Sequence, residues 1–68
     1  MKFNYERFAA ECRYKKITQV MLSELWGISL ASVNKILTGK TDKMSVARLA
    51  LACELMETTM EMFITKED

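Results

Sequence analysis

Cys12 and Cys53 are the only residues of this 68-residue chain with the chemistry of a thiolate metal ligand or a redox thiol. They stand 41 positions apart, and the chain has no histidine. An ordinary zinc site takes four ligands, so no metal site is expected. The commonest general base is missing as well. Glu6, Glu11 and Glu24 are isolated carboxylates with no nucleophile–base pair beside them. The pattern points away from an enzyme and away from a bound cofactor or small-molecule ligand. Each cysteine falls on the face of a predicted helix, as free buried thiols do in a reducing compartment.

What remains is charge. The net charge is only +1, yet it is unevenly spread. Residues 1–43 hold eight Lys and Arg against four Asp and Glu, whereas residues 44–68 hold two against five. This asymmetry predicts a basic working face and an acidic far side. Lys15 and Lys16 adjoin at the end of the first predicted helix. Two readings stay open for them: a solvated pair that suits the negative helix pole, or a phosphate contact.

The elements that must carry these groups are helical. Half of the residues are hydrophobic, with no proline and two glycines. That is too apolar for disorder and too poor in turn formers for an all-β chain. A chain this short makes one domain, and its small core is marginal. No long apolar run and no signal-peptide pattern is visible, so the expectation is no membrane and a cytoplasmic protein.

Five helices are predicted. The first spans 4–14 around Phe8 and Cys12. The second is capped by Thr18 and ended by Gly27, with Val20, Met21, Leu22, Leu25 and Trp26 as its apolar positions. The third is capped by Ser29 and closed by Gly39, with Val33, Ile36 and Leu37 on one face. The fourth starts near Ser45 and runs to about Met56. Val46, Leu49, Ala50 and Cys53 make its inner stripe, which leaves Leu51 and Leu55 for another neighbour. Thr58 or Thr59 caps a short fifth helix with Met60, Met62, Phe63 and Ile64.

Residues 18–40, TQVMLSELWGISLASVNKILTGK, resemble the helix-turn-helix of the phage-repressor/Cro-type (Xre) family. The likeness rests on Thr18-Gln19 opening the first of two helices, Leu22, small Ser23, Gly27, Ser29, Val33 and Gly39 at matching spacings. The flanking helices and the length fit too, so it covers nearly the whole chain. The implied fold is all-α: a compact five-helix lambda-repressor-like DNA-binding domain, with the helix-turn-helix at about 18–38 and the C-terminal helices at about 45–64. Physics accounts for the pattern separately. Gly27 suits a turn that needs a positive φ, Ser23 lets the two helices cross closely, and Leu22, Val33 and Ile36 are core contacts that set their angle.

The resemblance implies a double-stranded DNA partner, with base edges read by the third helix. By position the readers are Leu30, Ala31, Asn34 and Lys35. Asn pairs with adenine and Lys with guanine, whereas Leu30 and Ala31 offer only contact with thymine methyls. Leu30 is equally readable as an ordinary exposed leucine. Backbone contacts fall to Gln19 at a helix N-terminus, to Ser29 and Ser32, and to Thr38, Lys40, Thr41 and Lys43 after the reading helix. Lys43 has the alternative of a solvated loop charge. Relatives often carry a phosphate-binding Arg where Cys12 stands. Arg13, about 100° round the helix, either replaces it or the contact is absent.

One such module binds weakly, so a homodimer on a palindromic operator is expected, paired through the C-terminal helices at about 45–64 or the tail, with Met56, Met60, Met62 and Phe63 as its apolar residues. The implied function is a Cro-like repressor acting by operator occupancy. The alternative is an antitoxin-like or accessory protein-interaction module that keeps the same fold. The apolar Leu30 and Ala31 and the low net charge favour that alternative.

Overall fold

A computed structural model describes residues 2–41 and 44–65. Four α-helices are found among them: α1 (Tyr5–Tyr14), α2 (Gln19–Trp26), α3 (Leu30–Leu37) and α4 (Val46–Met56). Their starts are fixed locally. Asn4 Oδ1 accepts the Arg7 N–H at 3.1 Å, and Thr18 Oγ1 accepts that of Met21 at 3.1 Å. Ser29 Oγ accepts the Ser32 N–H at 3.2 Å, and Ser45 Oγ accepts that of Arg48 at 3.1 Å. Each bond satisfies a donor that the first helical turn leaves without a partner.

The four helices also end alike. One or two residues past each helix the backbone takes a positive φ: Lys16 (59°), Gly27 (66°), Gly39 (74°) and Glu57 (55°). The next N–H in each case returns to a carbonyl five residues back. These bonds are Ile17 to Cys12, Ile28 to Ser23, Lys40 to Lys35 and Thr58 to Cys53. Such a closure satisfies the orphan carbonyls of the last turn. Glycine adopts the left-handed conformation without penalty, whereas Lys16 and Glu57 hold it at a cost of about 1–2 kcal/mol each.

The fifth helix is corrected. Met60–Phe63 forms a single 3-10 turn, and Ile64–Thr65 continues as a strand, β2. This strand pairs antiparallel with β1 (Lys2–Phe3), Phe3 opposite Ile64. The Asn4 N–H adds a bond to the Phe63 carbonyl at 2.7 Å. Thr59 makes no side-chain cap, and four residues are too few to repay helix nucleation. Strand pairing satisfies the backbone there instead, and it seats Phe63 in the core.

The core gathers Phe8, Cys12, Leu22, Val33, Leu49, Ala52, Cys53, Met56 and Phe63. Phe8 lies at its centre. The rings of Phe3 and Phe63 meet it edge-on at 5.4 and 5.2 Å, and Trp26 stacks on it at 6.1 Å. Trp26 also ties α2 to α4, since its Nε1–H donates to the Arg48 carbonyl at 2.9 Å. The expected stripe on α4 is shifted. Leu49, Ala52, Cys53 and Met56 are buried, whereas Val46 is 72% exposed and Ala50 also faces out. On α2 only Leu22 is fully buried. Leu25 and Trp26 are half-buried, and Val20 and Met21 are exposed. No single helix among the described residues is long and apolar enough to cross a membrane.

Candidate nucleic-acid interface

α2 and α3 are joined by the three residues Gly27–Ser29, and the chain turns through 111° between their axes. Three local features hold this bend. Gly27 takes the left-handed conformation, the Ser23 hydroxyl donates to the Ile28 carbonyl, and Ser29 caps α3. Ser23 is half-buried, as its place at the crossing demands. Leu22, Val33 and Ile36 are all buried beneath the bend.

With Val33 and Ile36 turned inward, α3 presents Leu30, Ala31, Asn34 and Lys35 to solvent. All four expected readers therefore lie outward on one helix, and Leu30 is 49% exposed. They combine a side-chain amide, an ammonium group and two apolar groups. That set can donate and accept hydrogen bonds on a surface while covering methyl-sized apolar features.

The expected backbone contacts divide among three grooves around α3. Arg13, Gln19 and Thr38 share the first, where the end of α1, the start of α2 and the end of α3 meet. Ser32, Lys35 and Thr41 line the second, beside Arg48 of α4. Lys40 and Thr41 line the third, with Lys2 and Tyr5. Among the described residues no carboxylate lines any of the three. Exposed Glu54, Glu57 and Glu61 belong to α4 and the segment after it. Lys43 lies outside the described residues.

Not every expected hydroxyl is available. Ser29 Oγ accepts the Ser32 N–H and donates to Ser32 Oγ at 3.0 Å, so it is committed to starting α3. Thr38 Oγ1 donates to the Asn34 carbonyl at 2.8 Å, which uses its proton within the helix. A phosphate oxygen can only accept, so these two hydroxyls offer it nothing while those bonds stand.

The lysine pair at the end of α1 is split by its backbone. Lys15 Nζ donates to the Met56 carbonyl at the end of α4 and pairs with Glu11 at 3.5 Å. Lys16, exposed, lines the first groove near Gln19. Lys2 and Arg48 line these grooves and were missed by sequence reasoning, whereas Lys16 belongs to the pair for which a phosphate contact stayed open. Lys16 is three residues from Gln19, a usable signal. Lys2 reaches its groove only through the strand pairing.

Cys12 floors the first groove. It is a free thiol, its Sγ 3.9 Å from Met56 Sδ. Burial first, and the neighbouring Glu11 charge second, push its thiol up to about 11 from 9.0. Burial raises Cys53 too. Both thiols are protonated and inert at neutral pH. Between about pH 9 and 11 the unfolded chain gives up the Cys12 proton while the folded chain keeps it. Stability therefore falls as pH rises through that window, by up to about 1.4 kcal/mol per pH unit from this group. Urea titrations across the window check this. Cys12→Ala should show a shallower decline, and an unchanged decline would mean the thiol is not the group responsible.

The expected dimer residues need correction. Met56 and Phe63 are 2% and 0% exposed, so they are spent on the chain's own core. Met60 and Met62 are half-buried against the same core. Met62 Sδ accepts from the Thr58 hydroxyl at 3.4 Å. The strand pairing that follows the 3-10 turn draws this segment onto the core and away from the surface.

No protein-family model, no curated protein and no solved structure matches the chain.

Proposed function

We propose that the chain is a sequence-specific, double-stranded-DNA-binding transcriptional regulator, with α2–turn–α3 as a helix-turn-helix and α3 as its reading helix. The observation that carries this is the outward face Leu30, Ala31, Asn34 and Lys35 on a helix bent 111° from its neighbour. A bend of about 90–120° across a short glycine-containing turn is the geometry of that motif. The flanking grooves add cations where a duplex would bring its phosphates, and phosphate contacts set register while base contacts set sequence. The likeness to phage-repressor/Cro-type proteins supports the same reading. In it, two copies occupy a palindromic operator in the cytoplasm and repress by excluding other proteins, at half-sites about one helical turn apart.

Selection from a randomised duplex pool at two salt concentrations tests the reading. Enrichment of a palindrome supports it, and absence of retention at either salt overturns it. Two substitutions sharpen the test. Lys35→Ala should weaken the selected site by about 1–3 kcal/mol and relax preference at one base pair. Lys40→Ala should weaken all sequences alike and lower the salt slope by about one. Equal losses on selected and random DNA would move Lys35 to the backbone contacts. An unchanged slope would remove Lys40 from them.

A second reading has its own observation. Leu30, Val20 and Met21 are 49%, 52% and 39% exposed, an apolar character that suits a protein partner in an antitoxin-like or accessory module. Binding that hardly changes with salt would favour it, because phosphate binding releases counterions.

A further inference from the structure

Leu51 and Leu55 are each 42% exposed on α4. With exposed Ala47 they stand four residues apart, so they form a ridge on the side of α4 opposite buried Leu49, Ala52, Cys53 and Met56. Those four residues are the ones α4 gives to the core. The ridge is bounded by opposite charges in a symmetrical way. Arg48 lies three residues before Leu51 and Glu54 three residues after it. That places them about 60° to either side of Leu51 around the helix.

This symmetry selects the occupant. A two-fold axis running along the ridge exchanges its two flanks, which sets Arg48 of each copy against Glu54 of the other. It also leaves the two ridges parallel, and parallel i±4 ridges give the commonest helix crossing, at about 50°. We infer that α4 packs on α4 of a second copy about Leu51, with Ala47, Leu51 and Leu55 as the apolar seam and an Arg48–Glu54 pair on each side. The seam is short, about 12 Å at 1.5 Å per residue. Its three apolar residues and two charges a side fall short of the roughly 20–30 residues a side of a stable complex. The pairing is therefore weak in solution and gains when one duplex holds both copies. It supplies the pairing surface that the two-copy part of the proposed function needs, and it can be tested without DNA.

The test uses the full chain with Leu51→Cys. Both native cysteines are buried, so the new thiol is the accessible one, and a residue on the axis meets its own copy within disulfide reach. Mild oxidation should link Leu51→Cys about ten-fold faster or more than Val46→Cys, which is more exposed but off the seam. Adding Glu54→Arg to Leu51→Cys sets cation against cation and should return the rate to that of the control. Sedimentation of the unmodified chain should show concentration-dependent association that Leu51→Glu abolishes. Equal linking rates for Leu51→Cys and Val46→Cys would overturn the interface, and no response to Glu54→Arg would overturn its register. DNA retention measured alongside separates the two readings. Retention without linking rejects this interface alone, and linking without retention rejects DNA binding alone.

Discussion

Phe8→Ala is expected to leave the chain largely unfolded at 25 °C. The side chain is fully buried, and three other aromatic rings pack on it. Truncating a buried Phe costs about 3–5 kcal/mol through lost transfer energy and the cavity left behind. A domain of this length has a total stability of only about 3–10 kcal/mol. Here the loss also spreads, because Phe8 connects β1 through Phe3, α2 through Trp26 and the C-terminal segment through Phe63. The expected result is a collapse of the far-UV helical signal or a urea midpoint near zero. Phe8→Leu keeps most of the volume and should still unfold cooperatively. A Phe8→Ala protein that unfolds cooperatively and loses less than about 2 kcal/mol would mean that the aromatic cluster is not the keystone of this core.

The same residue explains why the site depends on the core. α1 brings Arg13 to the first groove at one end and Tyr5 to the third groove at the other. Losing the anchor between them removes both flanks of α3 together. DNA retention should therefore fail with the fold in Phe8→Ala, although Phe8 itself lies far from any surface.

How much of this was legible in the sequence follows from how local each signal is. Thr18, Ser29 and Ser45 cap helices through bonds to residues three positions on, so the starts of α2, α3 and α4 are written in short words. Gly27 and Gly39 announce two of the stops. The stops at Lys16 and Glu57 carry no such sign, because a non-glycine residue holds the left-handed conformation there only when the surrounding packing compels it. The inner face of α4 was ambiguous for another reason. Its run of Val, Ala, Leu and Met fits two stripes at the same helical spacing, one through Val46 and one through Met56. Tertiary packing chose the stripe with the larger side chain. The strand pair was beyond local reading altogether, since residues 2–3 find their partners 61 or more positions away. That pairing consumed the expected fifth helix and drew Phe63 inward. At the site, the outward face of α3 was legible because periodicity alone fixes it. The grooves were legible only in part, because each is built by three elements whose arrangement no local pattern states.

Gly39→Ala is the second large effect expected, and its partner measurement is Gly27→Ala. Both glycines have left-handed φ, 74° and 66°, so each alanine meets the same backbone penalty of about 1–2 kcal/mol. Their surroundings differ. A Cβ on Gly27 meets nothing within 4 Å, whereas one on Gly39 would lie 2.4–2.8 Å from three atoms of the Tyr5 ring. The half-buried ring lies directly over the glycine, and forcing a methyl beneath it adds about 1–3 kcal/mol. Gly39→Ala should therefore cost about 2–5 kcal/mol in urea unfolding, and Gly27→Ala only the backbone part. Removing the ring separates the terms. In a Tyr5→Ala background the cost of Gly39→Ala should fall to that of Gly27→Ala, and the difference is the coupling energy of the contact. A cost that persists in full without the ring would show that the collision does not occur. The contact also reaches the proposed interface, because Lys40 follows Gly39 and shares its groove with Tyr5. Displacing the ring should move that groove, so Gly39→Ala protein that remains folded should lose DNA affinity on every sequence alike. Gly27→Ala would instead change the turn that aims α3, and its loss should be greater on the selected operator than on random DNA.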